Sequence, residues 1–212
     1  MSATGVSDSP DNQGNQTGDT PAFSLCVYCG SRPGEDERYM ELARRVGQWI
    51  GQHRGQLVYG GGSGGLMGAV AQATLDAGGR VVGIIPKALV EKEWAKLNCT
   101  ELHVVDNMHE RKRMMAERAN CFVALPGGIG TLEEFFEVWT WRQLGYHDKP
   151  VGLLNADGFY DGLLSFMGHC VNQGFMGPWQ MDLIRSEAEL DILLPELVEA
   201  AGMSPESRTD QI

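Results

Sequence analysis

Positive charge and long apolar runs are both scarce in this chain. It carries 17 lysines and arginines against 28 aspartates and glutamates, a formal net charge of −11. Nucleic acid and anionic membranes demand a basic footprint, so neither is an expected partner. The longest apolar stretches, at 25–28 and 81–86, fall far short of the ~18 residues that cross a bilayer. Residues 1–22 contain no lysine or arginine, so they match neither a secretory signal nor an organelle transit segment, and a cytoplasmic location is expected. Their Ser, Thr, Asp, Asn, Gln and Gly content predicts a disordered tail, and 203–212 look like a second, flexible one. The five cysteines are odd in number and spread through apparent strands and loops, which suits a reducing compartment better than a disulfide scaffold. Cys26 and Cys29 form a C-x-x-C, but no second pair exists for a zinc ribbon, and no metal or cofactor is expected.

What the chain does have is alternation. Apolar runs of strand length at 23–29, 56–59, 80–85, 102–105, 121–125 and 150–154 are each followed by helical spacing, for example Leu42, Val46, Trp49 and Ile50. Helices are expected to 77, over 108–119, around 159–173 and over 187–200, with a short extended piece at 183–185 and an irregular charged connection at 86–98. This pattern predicts an α/β protein: a Rossmann-like, doubly wound parallel sheet in a single domain, 23–202, with its ligand site beyond the carboxyl ends of the strands. The turn at Gly30-Ser31, the glycine loop at 60–68, the start of the helix at Met108 and the turn at 126–131 should converge on that rim.

The stretch 121–141 organises the rest. An apolar run ends at Pro126, passes Gly127, Gly128 and Gly130, and restarts with helical spacing at Leu132, Phe135, Phe136 and Trp139. Strand, glycine turn and helix aim backbone N–H groups and the positive end of a helix dipole at one point, where an anion such as a phosphate can approach the main chain. Glu134 admits two readings. It has capping-box spacing from Thr131, and it also fits a carboxylate held beside a bound phosphate. Glu137 is expected on a solvated face.

Gly60, Gly62 and Gly65 satisfy G-x-G-x-x-G after a strand, yet the acidic residue of a dinucleotide site is missing about 20 residues on, and no lysine follows as in a P-loop. The glycines serve either close helix-sheet packing or a ligand. In the segment 108–115, Arg111, Lys112 and Arg113 lie near the positive end of a helix, where an anion would offset their placement. At 100° per residue Arg111 shares a face with Met108 and Met115 and can reach inward, while Arg113 points elsewhere; a solvated basic face is the other reading.

Six motifs together resemble the LONELY GUY family of cytokinin-activating phosphoribohydrolases: CGS at 29–31, GGGSGGLMG at 60–68, MHERK at 108–112, LPGGIGTLEE at 125–134, WRQLG at 141–145 and HDKPVGLL at 147–154. The resemblance implies a hydrolase that cleaves the N-glycosidic bond of an N6-modified adenosine 5′-monophosphate to a free base, cytokinin or adenine, and ribose 5-phosphate. It implies a catalytic pair, Arg111 and Glu134. It implies nucleotide contacts from Ser31, Glu93, Arg111, Lys112, Gly127, Gly128, Ile129, Gly130, Thr131, Leu132 and Glu133, and a homodimer in which some of Phe135, Phe136, Trp139 and Trp141 meet a second copy. Two residues depart from the family pattern: Arg142 stands where a small residue is expected and Ile129 where an aromatic is common. A fixed carboxylate is also what this chemistry needs, because positive charge builds on the ribose ring as the base leaves. The decarboxylase label sometimes attached to such sequences lacks a recognisable pyridoxal phosphate lysine among Lys87, Lys112 and Lys149. The competing reading is a nucleotide or cofactor carrier of the same fold that binds without hydrolysis.

Overall fold

The computed structural model describes residues 20–90 and 98–205. The expected tails, and Glu93 within 91–97, therefore lie outside the described residues except for 20–22 and 203–205. Seven strands form one sheet: β1 (Ser24–Tyr28), β2 (Gln56–Tyr59), β3 (Arg80–Pro86), β4 (Glu101–Val105), β5 (Cys121–Ala124), β6 (Val151–Leu154) and β7 (Ile184–Glu187). The helices are α1 (Glu37–Gln52), α2 (Gly65–Asp76), α3 (Lys87–Val90), α4 (Met108–Arg118), α5 (Ile129–Gln143), α6 (Asp161–Asn172), α7 (Pro178–Met181) and α8 (Leu190–Ala200).

The strand order is β4-β3-β2-β1-β5-β6-β7 and every pairing is parallel. From β1 the chain adds strands outward on one side as far as β4, then returns to β1's other edge with β5. The order reverses between β1 and β5, and in open α/β sheets this reversal opens a crevice at the carboxyl ends. The doubly wound reading holds. The short α3 and α7 were not foreseen, because four-residue helices have too little periodicity to read.

Alternate residues of each strand face opposite layers. Leu25, Val27, Leu57 and Val123 pack under α1, α2 and α8 with Val46, Ile50, Val70 and Leu197. Cys26, Tyr28, Val58 and Phe122 pack under α4 and α5 with Met115, Phe135, Val138 and Trp139. The second layer is less completely closed: α6 buries none of its residues, and Phe136, Trp141, Leu163, Leu164 and Met167 are only partly buried against it. Arg142 does not reach the ligand rim; its guanidinium donates to the Leu183 carbonyl at 2.6 Å and fastens the end of α5 to the segment before β7.

Candidate active site

The strand ends meet in a cleft of about 660 Å³. That volume lies within the ~300–1,000 Å³ common for small-molecule sites. The loop after β1 and the turn after β5 are fitted back to back. Gly30 N–H donates to the Pro126 carbonyl at 3.1 Å, and a Cβ on Gly127 would meet the Gly30 amide nitrogen at 2.9 Å as well as the Thr131 side chain. Behind the turn, the Tyr160 hydroxyl donates to the Leu125 carbonyl at 2.6 Å. Burial holds its pKa above the usual tyrosine value, so it stays a donor. On the other side, Leu66 N–H donates to the Gly30 carbonyl at 3.0 Å.

The glycines of the turn divide into two kinds. Gly127 is needed for packing, whereas a Cβ on Gly128 or Gly130 would meet nothing within 4 Å. Both of these line the cleft, so the space over them is open to a ligand. Helix α5 starts at Ile129 with Gly128 as its N-cap and no capping side chain. The capping box, one of the two readings of Glu134, is therefore not formed: Thr131 lies inside the first turn, buried, with its hydroxyl against Gly127. The Pro-Gly-Gly sequence lets the chain bend early, and Glu134 is left to another partner.

That partner is Arg111. Its residue is 6 % exposed, and its guanidinium lies 3.6 Å from a Glu134 carboxylate oxygen. Helix α4 is set by Asn107, whose side chain accepts from Glu110 N–H at 2.9 Å, while the Glu110 carboxylate accepts from Asp106 N–H at 3.0 Å. This register turns Arg111 and Met115 inward together. The remaining contacts of the guanidinium are long, 3.5 Å to the Gly60 carbonyl and 3.7 Å to the Met108 sulfur, and its Nε is buried without a hydrogen-bond partner among the described residues. Charge-assisted pairs usually close to about 2.7–2.9 Å. A buried guanidinium held this loosely has donors to spare for a ligand.

Ser31, Arg111, Gly127, Gly128, Ile129, Gly130, Thr131, Glu133 and Glu134 all line the cleft. Lys112 and Leu132 do not. Leu132 packs against the core, and Lys112 reaches across to α5, donating to Glu133 at 2.7 Å and Glu137 at 2.9 Å. Glu137 is thus an ion-pair partner rather than a solvated face. Arg113 points away, within 3.9 Å of Glu117. The loop at 60–68 contributes Leu66 and Met67 to the cleft, but its glycines serve close contacts: a Cβ on Gly60 would occupy the Arg111 guanidinium's place, and one on Gly68 the Ser63 carbonyl's. Sequence reasoning missed Tyr39 and Phe159, rings 5.6 Å apart on the cleft wall, the lining residues Arg32 and Leu89, and Tyr160 behind the turn. An aromatic at a helix start or strand exit was the available signal for the first two.

Cys29 reaches the cleft wall, but burial raises its pKa far above the ordinary thiol value, so it is not a poised thiolate. Among the described residues no group of three His, Cys, Asp or Glu side chains is placed to hold a metal.

Comparison with known proteins fixes the family. Over 173 residues the chain is 50 % identical to cytokinin riboside 5′-monophosphate phosphoribohydrolase LOG5 of Arabidopsis thaliana, covering 82 % of this chain and 76 % of that protein. The chain belongs to this phosphoribohydrolase family. A probable phosphoribohydrolase of the family, LOG4 of Oryza sativa subsp. japonica, is 44 % identical over 189 residues, 89 % of this chain and 82 % of its own length. Residues 67–197 also match the family described as "Possible lysine decarboxylase". No lysine lines the cleft among the described residues. Lys149, whose pKa burial lowers, donates to the Ala116 carbonyl at 2.7 Å and so caps α4, and Lys87 pairs with Asp106 at 2.6 Å. Among solved structures, the Moco carrier protein of Chlamydomonas reinhardtii superposes with a TM-score of 0.62 at 20 % identity, covering 84 % of this chain and 97 % of that one. At that identity the likeness concerns the fold.

Proposed function

We propose that this chain hydrolyses the N-glycosidic bond of N6-modified adenosine 5′-monophosphates, giving the free cytokinin base or adenine and ribose 5-phosphate. The observation that carries the reading is the buried Arg111 and Glu134 pair, with donors left unmet, beside a glycine turn whose outer surface is open. The backbone N–H groups at the start of α5 hold the 5′-phosphate, helped by the Ser31 and Thr131 hydroxyls, and this fixes the anomeric carbon over Glu134. The C1′–N9 bond breaks with its electron pair leaving on the base. Water adds to C1′, and the proton it gives up balances the one that the departing base takes up. Glu134 stabilises the cationic ring and orients that water, while Arg111 keeps the carboxylate aimed and binds a sugar oxygen through its spare donors.

Glu134→Gln is expected to keep the fold and nucleotide affinity while turnover falls by about 10³-fold, roughly 4 kcal/mol of barrier. Chromatographic separation of base from nucleotide reads it directly. A folded variant with the parent rate overturns the assignment. The carrier reading predicts binding of the monophosphate with no base released by the parent, in the same assay.

The incompletely closed layer supports a homodimer. Phe136, Trp141 and Met167 lie partly buried there, and Phe166, Phe175 and Trp179 are exposed on α6, α7 and the loop between them. A second copy docking on this face would bury an apolar surface that a monomer leaves in water. Light scattering at micromolar concentration should report twice the chain mass, and a monomer would rule the dimer out. Five free cysteines, three of them buried, fit a reducing, cytoplasmic compartment.

A further inference from the structure

The glycine turn supplies dipoles to a phosphate but no net charge. Four ionised side chains line the cleft: Arg32, Arg111, Glu133 and Glu134. Arg111 pairs with Glu134, and Glu133 accepts from Lys112 at 2.7 Å, so Arg32 is the lining charge without a counterion among the described residues. With Arg32 the four sum to zero. Without it the remaining lining charges are all paired, and a phosphate dianion would enter a protein already at −11 with no uncommitted cation to meet it.

Arg32 is placed to act. Its backbone is wedged between two elements, since Gly30 bonds to Pro126 on one side and to Leu66 on the other, and a Cβ on Gly65 (φ +54°) would strike the Arg32 amide nitrogen. The root of the side chain is therefore fixed against Gly65, two residues beyond the Gly30 that packs on Pro126 and Gly127. Its head is exposed and forms no ion pair among the described residues, in contrast to Arg38, which is 3.0 Å from Asp36, and Arg44, which is 2.8 Å from Glu37. An arginine rooted in a rigid loop at the edge of an anion-binding turn, with no internal partner, can close on an arriving phosphate as a bidentate donor. The unpartnered Nε of Arg111 in the same cleft independently calls for a ligand.

We infer that Arg32 is a further substrate-binding residue, which grips the 5′-phosphate of the nucleotide from the side opposite the α5 amides. The inference rests on the phosphoribohydrolase reading. It makes Arg32 a determinant of affinity and of the demand for a phosphorylated sugar, with no part in breaking the bond.

The test compares the full-length parent with Arg32→Gln and Arg32→Lys. Arg113→Gln, exposed and off the cleft, controls for net charge. Arg32→Gln should raise KM for adenosine 5′-monophosphate and Ki for ribose 5-phosphate by about 10- to 100-fold, with kcat within about threefold. Arg32→Lys should recover part of the loss, Arg113→Gln should match the parent, and affinity for adenosine, which lacks the phosphate, should not move. The KM of the parent should rise with ionic strength more steeply than that of Arg32→Gln. Unchanged KM and Ki in Arg32→Gln, an equal loss for adenosine, or the same loss in Arg113→Gln would each overturn the role. A parent that hydrolyses no nucleoside monophosphate defeats the functional reading instead. Calorimetry with ribose 5-phosphate then still decides Arg32: a Kd weakened about tenfold in Arg32→Gln sustains it. An unchanged Kd, or no binding to the parent, refutes it.

Discussion

The loop at 60–68 and the turn at 126–131 look alike in sequence, each a glycine cluster between a strand and a helix, yet the structure uses them in opposite ways. In the first, glycines are demanded by other protein atoms: Gly60 leaves room for the Arg111 guanidinium and Gly68 for the Ser63 carbonyl. In the second, only Gly127 is so constrained, and Gly128 and Gly130 look onto open space. A glycine can be required by what the protein contains or by what it must admit. The first loop supports the site from behind, holding Arg111 and the backbone around Arg32; the second forms its surface.

Alanine scanning sharpens the contrast. The largest effect is expected at Gly68→Ala, where a methyl would collide with backbone that cannot easily yield, costing about 3 kcal/mol of stability. Thermal unfolding reads this as a large fall in Tm, with the activity of any folded fraction little changed. Gly130→Ala should do the reverse. An alanine at the second position of a helix stabilises by up to about 1 kcal/mol relative to glycine, while the methyl intrudes on the cleft and raises KM for the monophosphate by roughly tenfold. If Gly130→Ala lowers Tm and leaves KM alone, the distinction between the two turns collapses.

The smallest effect is one of pH. The His147 Nδ1 accepts from Lys149 N–H at 3.2 Å, so its Nε2 carries the proton and donates to the Val138 carbonyl of α5 at 3.0 Å. Burial, ahead of the charges of Lys149 and Arg142, lowers its pKa below the usual 6.5. Below that value the unfolded chain binds a proton that the folded chain resists, so the His147 contribution is complete above pH ~6.5 and declines as pH falls toward the depressed folded value. Hydrogen exchange should show α5, which follows the glycine turn at 126–131, losing protection on acidification from pH 7 to 5.5 before α2 does, by well under 1 kcal/mol. Equal loss in both helices would mean that His147 does not anchor α5.

Much of the site could be read in advance because its signals are local. The inward turn of Arg111 follows from Asn107 capping α4 and from 100° per residue, and both are written within eight residues. The resemblance to the family, carried by six short motifs, supplied the pairing of Arg111 with Glu134. The errors fall where partners come from a distance. Lys112 belonged to the right motif but is held by Glu133 and Glu137 on the next helix, which makes Glu137 a partner. Thr131 had the spacing of a cap, but the bend at Gly127 and Gly128 started the helix three residues earlier, with Gly128 as the cap. Tyr39, Phe159 and Tyr160 carried no motif at all. They reach the site, or brace it, because α1 and the exit of β6 are neighbours across the β1 and β5 crevice.

Strand and helix alternation, the location of the ligand rim and the chemistry of the anion turn are properties of residue order, since periodicity and glycine placement act over a few positions. Which glycine faces protein and which faces open space, which of three adjacent cations enters the cleft, and which arginine is left without an ion pair among the described residues were decided only when distant segments packed. Those outcomes depend on distances between α4, α5 and the loops after β1 and β2, and such distances come into being with the sheet that assembles them.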